Sequence, residues 1–234
     1  MWYKFKQKFG RFAIQNLSLY VTLIFAIGYL VMIFNSNLYN YWLGFYPVAV
    51  LKGEIWRIFT VLFYPPSVSN NLLLGALMIF IYYSFAQTVE RSMGEFEYNV
   101  YFFGSILIGE IGSILYYLIT KDYTAQYIPM FTHFAVFMAF AIMYSEQRVL
   151  LFFIIPIKVK WIAIVEVALY VYYLTMGLVF RNLETVIDIV CAFIPVVIFY
   201  LVVFKQRNGS GIISNWRLQR EQKKRRKEWQ DQWK

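Results

Sequence analysis

Few residues in this chain of 234 have side chains suited to chemistry, and they stand far apart. There is one histidine, His133, and one cysteine, Cys191. A lone cysteine rules out an internal disulfide and the usual zinc clusters, and a lone histidine leaves a single candidate for His-dependent catalysis. No metal and no other cofactor is expected. Glu110 is more suggestive, because it falls near the middle of a long apolar stretch where a charge is costly. It should be protonated, hydrogen-bonded or facing a wet cavity. A transporter or proton relay would use such an acid, and a neutral structural carboxyl is equally economical. Glu184 and Asp188 are four apart and so share one helical face, with Arg181 near enough to neutralise them. Glu166 lies within snorkelling reach of water and reads as structural. His133 reads as a packed polar residue. Thr132 beside it makes no dyad, since adjacent helical residues point about 100° apart.

The elements around these residues are apolar. The chain is 60% hydrophobic and 21% aromatic, against about 45–50% apolar for a soluble domain, so lipid is the expected solvent. Six spans are predicted over 17–34, 72–89, 100–119, 129–144, 162–180 and 186–204. The expected fold is an all-α membrane protein of six transmembrane helices (1–204) with a basic tail (205–234). The first apolar run is long and lacks a small-residue cleavage site, so no cleavable signal peptide is expected. Pro195 should kink the last helix.

Charge sets the orientation. With the N-terminus inside, 18 of the 22 basic residues fall in inner segments, and Lys52, Arg57, Lys121 and Arg181 fall in outer loops. Without the tail the bias is still eight against four. Both termini are therefore expected in the cytoplasm. The same topology accounts for the net charge of +9, and no nucleic-acid partner is expected. The run Lys223, Lys224, Arg225, Arg226 and Lys227 suits anionic headgroups at up to about 1 kcal/mol per residue. A solvated tail that fixes topology is the alternative.

Two further patterns concern packing and anchoring. Ser105, Gly109 and Ser113 recur every four residues, with Gly104 and Gly112 beside them, and form a flat stripe for close helix packing. The long loop 35–71 is rich in aromatics and should lie partly in the membrane interface. It carries Gly53-Glu54-Ile55-Trp56-Arg57-Ile58-Phe59-Thr60. Trp56 suits headgroup depth, and Arg57 can bond phosphate, backbone carbonyls or Glu54. Any membrane protein could use such an anchor.

A Trp-Arg pair followed by Thr in this loop resembles the first loop of the rhomboid superfamily. Glu90 and Gly94 after the second span, followed by the aromatic-rich stretch 96–103, are similar to that superfamily too. Pro156 to Trp161 resembles its Derlin-like branch. The resemblance covers roughly 50–200 and implies a rhomboid-like fold. It does not extend to catalysis. A rhomboid protease needs a Gly-x-Ser-Gly turn at the top of the fourth helix, where this chain has Ile128 to His133 and the serine position falls near Met130. The histidine of the sixth helix is replaced by the region of Val190, Cys191 and Ala192. The oxyanion pair lands near Leu74 and Met78. No catalytic residue is therefore expected, since a hydroxyl without a base is a poor nucleophile.

The resemblance implies a pseudoprotease that binds membrane lipids and the transmembrane segments of client proteins, in protein quality control. Its place would be a bacterial cytoplasmic membrane, or the ER membrane if the source is eukaryotic. A small transporter or channel component using Glu110 is the alternative. A wet cavity reaching Glu110 would favour transport, and a lateral groove between the second and fifth spans would favour client binding. The topology is testable in a Cys191-free background. Lys121→Cys should react with an impermeant maleimide from outside and Ser210→Cys should not; the reverse pattern would refute the orientation.

Overall fold

The computed structural model describes residues 8, 10–66, 71–151 and 155–204. The basic run Lys223–Lys227 and most of the N-terminal basic segment lie outside them. The described chain is helical apart from one hairpin. Helix α1 (Leu17–Phe34) is followed by a loop of short helical pieces. These are α2 (Ser36–Leu38), continued as a π-helical turn over Tyr39–Leu43, then α3 (Pro47–Leu51) and α4 (Arg57–Thr60). The long helices α5 (Leu72–Met93) and α6 (Glu95–Thr120) come next, then the short α7 (Met130–Met143). Strands β1 (Arg148–Leu151) and β2 (Ile155–Lys158) precede α8 (Val159–Val179) and α9 (Leu183–Ile198).

Five helices are long and apolar enough to cross a membrane: α1, α5, α6, α8 and α9. This is an integral membrane protein. The fourth of the six expected spans, α7, has 14 residues. At about 1.5 Å per residue it falls short of a hydrocarbon core of about 30 Å. Burial explains how so short a helix is accommodated. Thr132 and Phe134 to Val136 are buried, as are Met138 to Ala141, so α7 is sheathed by its neighbours and its length need not match the lipid.

The bundle is built around that short helix. α5 and α6 pack on α7, and α1 packs on α5. Phe85 of α5 stacks on Phe140 of α7 at 4.4 Å between ring centroids. On the other side Phe134 of α7 meets Tyr170 of α8 at 4.3 Å and Phe193 of α9 at 5.3 Å. α8 is the least buried of the long helices, covering only Val159, Ala163 and Gly177. The lipid-facing sides carry exposed Leu, Ile, Val and Phe, as expected where lipid replaces water. Contacts divide the chain into Met1–Val196 and Val197–Lys234. Of the second unit the end of α9 and a π-helical turn, Phe199–Phe204, are described. α9 runs through Pro195 as a continuous helix.

The hairpin departs from the helical plan. β1 and β2 pair antiparallel, with Val149 opposite Ile157 and Leu150 opposite Pro156. In a two-stranded sheet each strand is an edge, where a proline without an amide is tolerated. Glu146 clasps its base, accepting from Lys158 Nζ at 2.7 Å and Lys160 Nζ at 2.5 Å. Those two ammonium groups, Lys158 first, hold the Glu146 carboxyl down to about 2.

Close approach depends on particular glycines. A Cβ at Gly28 in α1 would overlap the carbonyl of Phe63, and one at Gly75 in α5 would overlap the Tyr29 ring. Gly104 of α6 has open space around it. Gly28→Ala should therefore lower stability by about 1–3 kcal/mol through overpacking. Gly104→Ala should be neutral or stabilise by about 0.5–1 kcal/mol, as in any open helical site. Thermal unfolding in detergent measures both, and equal melting temperatures would refute the packing.

Candidate functional site

The Trp-Arg turn is a device for closing a helix. The last four carbonyls of a helix have no intrahelical donors and need partners elsewhere. At the end of the Ser36–Leu43 helical segment these are the carbonyls of Tyr41 to Gly44, and side chains from one short turn meet all four. Arg57 Nη2 donates to the Tyr41 carbonyl and Nη1 to the Gly44 carbonyl, each at 2.6 Å. Trp56 Nε1 donates to the Trp42 carbonyl at 3.2 Å, and Thr60 Oγ1 to the Leu43 carbonyl at 2.9 Å. Arg57 Nε also donates to Glu54 Oε2 at 2.6 Å. The guanidinium sits 5.6 Å from the centroid of the Tyr46 ring. Arg57 is 6% exposed, so the buried cation is compensated by a carboxylate, two carbonyl dipoles and a π face. Gly53, at φ 108, makes the turn that brings Glu54 back towards Arg57.

Glu90 does the converse at a helix start. Its Oε1 accepts from the Leu17 amide at 2.7 Å, and its Oε2 accepts from the Ser18 amide at 3.0 Å and the Ser18 hydroxyl at 2.5 Å. These are orphan donors of the first turn of α1. Asn16 at the cap position is left-handed and makes no side-chain cap bond, so a carboxylate from α5 takes its place. Gly94, at φ 99, lets the chain reverse directly from α5 into α6. Asn99 of α6 then pairs with the amide and carbonyl of Ile14 at 3.0 and 2.9 Å.

The small-residue stripe of α6 meets different elements along its length. A Cβ at Gly109 would overlap the Tyr127 ring, and one at Gly112 would overlap Cys191 of α9. Ser105 and Ser113 are buried, and Ser105 Oγ donates to the Phe102 carbonyl at 2.7 Å. Tyr127 ties three parts together. Its amide donates to the Phe45 carbonyl at 3.0 Å, its ring covers Gly109 and its hydroxyl lies 3.2 Å from Thr132 Oγ1.

Glu110, Asp188 and Cys191 all lie within electrostatic reach of the Tyr127 hydroxyl, whereas His133 packs among other rings. Glu110 is buried, with Oε1 unpartnered among the described residues. It does not line the cavity beside Arg57. His133 is wedged edge-on between Phe25 and Tyr82 at 4.9 and 5.1 Å, with the Tyr64 backbone beside its ring. Thr132 turns instead to Tyr127, so the two adjacent residues face different partners. Asp188 and Glu184 form no ion pair with Arg181 among the described residues. The positions matched to catalytic residues are scattered. Met130, Leu74 and Met78 are exposed, whereas Ala192 is buried. Among the described residues no group of His, Cys, Asp and Glu could hold a metal.

Comparison with family models, curated proteins and solved structures returns no match. The caps themselves are testable. Arg57→Ala strips partners from two carbonyls and from Glu54, and should cost about 3 kcal/mol or more. Arg57→Lys should recover less than half of that, because a point charge cannot reproduce the fork. Glu90→Gln should cost about 1–3 kcal/mol. Melting temperature and tryptic cleavage after Lys52 report both effects, and an unchanged Arg57→Ala protein would refute the cap.

Proposed function

We propose that this protein is a rhomboid-like pseudoprotease with six membrane crossings, α7 completing the set, that binds transmembrane segments of client proteins without cleaving them. The observation that carries this reading is the loose attachment of α8. That helix packs on α7 and the hairpin but scarcely on α5. α5 exposes Leu74 and Met78, and α8 exposes a face that includes Val165, Leu169 and Tyr172. An incoming apolar helix can pack there with little to displace, since association within lipid rests on packing and not on expulsion of water. The aromatic Trp-Arg loop lies beside the bundle, where it would thin or disorder the neighbouring lipid.

The absence of a catalytic unit supports the second half of the proposal. A nucleophile, its base and its oxyanion donors act together, and loss of one costs nearly as much as loss of all. Here the matched positions hold Met130, Ala192, Leu74 and Met78. The unpartnered Glu110 oxygen favours a second reading, a transporter that moves protons or cations past that carboxyl.

Reconstitution with a labelled single-span peptide carrying a photo-crosslinker decides among these. The expected result is crosslinking to α5 and α8 with no cleavage. Specific cleavage abolished by His133→Ala would overturn the pseudoprotease reading. Proton flux lost in Glu110→Gln, with no crosslink at α5 or α8, would establish the transporter instead.

A further inference from the structure

A cavity of about 720 Å³ opens beside the Arg57 cap, within the roughly 300–1,000 Å³ typical of small-ligand sites. Lys52, Glu54 and Arg57 supply its charges, and Asn37 and Asn40 supply amides. Three properties define what fits.

The first is charge. Glu54 is taken by Arg57 at 2.6 Å, whereas Lys52 makes no ion pair among the described residues. One positive charge is left over, and it selects a monoanion.

The second is donor geometry. Arg57 uses three of its five N–H groups on Tyr41, Gly44 and Glu54, which leaves two on a rigid planar fork suited to phosphate oxygens. This fork is anchored by its other bonds, so little ordering is needed on binding. Asn37 and Asn40 can serve hydroxyl or ester oxygens nearby, and Glu54 has its second oxygen free to accept from a hydroxyl.

The third is depth. The cavity lies where α1 ends and α6 ends, since Asn37 and Tyr123 both line it. Of its lining Tyr41, Trp42 and Trp56 are exposed, and so are Phe34, Ile55 and Phe59, which lie within three residues of lining positions in the chain. So many apolar and indole groups in one patch belong at the membrane interface, not in bulk water. At that depth phosphodiesters are the abundant monoanions.

We infer that this cavity holds the phosphodiester headgroup of an anionic membrane lipid, with the phosphate on Lys52 and Arg57 and the acyl chains running past Trp42 and Phe59. A hydroxylated headgroup such as phosphoglycerol matches the amides and Glu54, whereas a quaternary ammonium would add a second cation with no unpaired carboxylate to meet it. The site depends on the protein lying in a membrane but not on client binding, so either can fail without the other.

The test uses the full-length protein, delipidated in neutral detergent, with native mass spectrometry after titration of lipids of equal chain length. Phosphatidylglycerol should bind the wild type, and Lys52→Glu should weaken it by about tenfold or more. Lys121→Glu, on a neighbouring loop, should leave it unchanged. Phosphatidylcholine should bind weakly to all three. Inorganic phosphate at millimolar concentration should not displace the lipid. Equal binding by wild type and Lys52→Glu would overturn the inference, as would an equal loss in Lys121→Glu. Full displacement by inorganic phosphate would overturn the lipid source, and retention of only the single-span client peptide at this cavity would do the same.

Discussion

Backbone groups at helix ends, more than packing, are the constraint this structure is arranged to meet. A helix in lipid satisfies its own interior, but four donors at its start and four acceptors at its finish remain, and no water is present in hydrocarbon to take them. This chain supplies partners from distant segments. Arg57, Trp56 and Thr60 close the end of the Ser36–Leu43 segment, and Glu90 closes the start of α1. Each cap has the sign that the helix dipole favours, cation at the carboxyl end and anion at the amino end. Asn71 does the same locally for α5, accepting from Leu73 and Leu74, while its own carbonyl takes the Tyr29 hydroxyl. The placement of α1 against α5, and of the first loop against the bundle, follows from these bonds.

Much of the helical frame was legible from composition alone. Residues 17–34 are expected as a span, and the helix has those bounds, because Asn16 and Asn35 flank a run without charges. The later helices begin earlier than expected at α6 and α8, since Glu95 to Asn99 and Lys160-Trp161 are polar or aromatic yet still helical. Hydropathy marks what touches lipid and is silent on helical turns that project beyond it. The hairpin was hidden for a related reason. Its strands carry a continuous apolar run between basic ends, without the alternation that distinguishes a strand.

The polar sites were legible as residues and not as roles. Trp56 and Arg57 stand out as an interfacial pair within an apolar loop, and Glu90 and Gly94 stand out only through the resemblance. What they bind could not be read, because their partners are main-chain amides and carbonyls, which leave no mark in the sequence. Asn99 and Tyr127 were missed entirely. Both are common in membrane chains, and both act through backbone atoms of segments more than 80 residues away. In the bundle interior the buried hydroxyls of Tyr82 and Tyr98 face each other, and the His133 ring lies beside the Tyr64 backbone.

The reach of Glu90 also orders events during synthesis. The amides that it caps precede it by 73 and 72 positions, so α1 leaves the ribosome long before its acceptor exists. At about 5–20 residues per second the gap is on the order of 4–15 s. Through that interval the first turn of α1 must stay hydrated at the membrane surface, and only the arrival of the end of α5 lets it settle. The nascent chain is thus a two-step assembly in which the first span is threaded early but registered late.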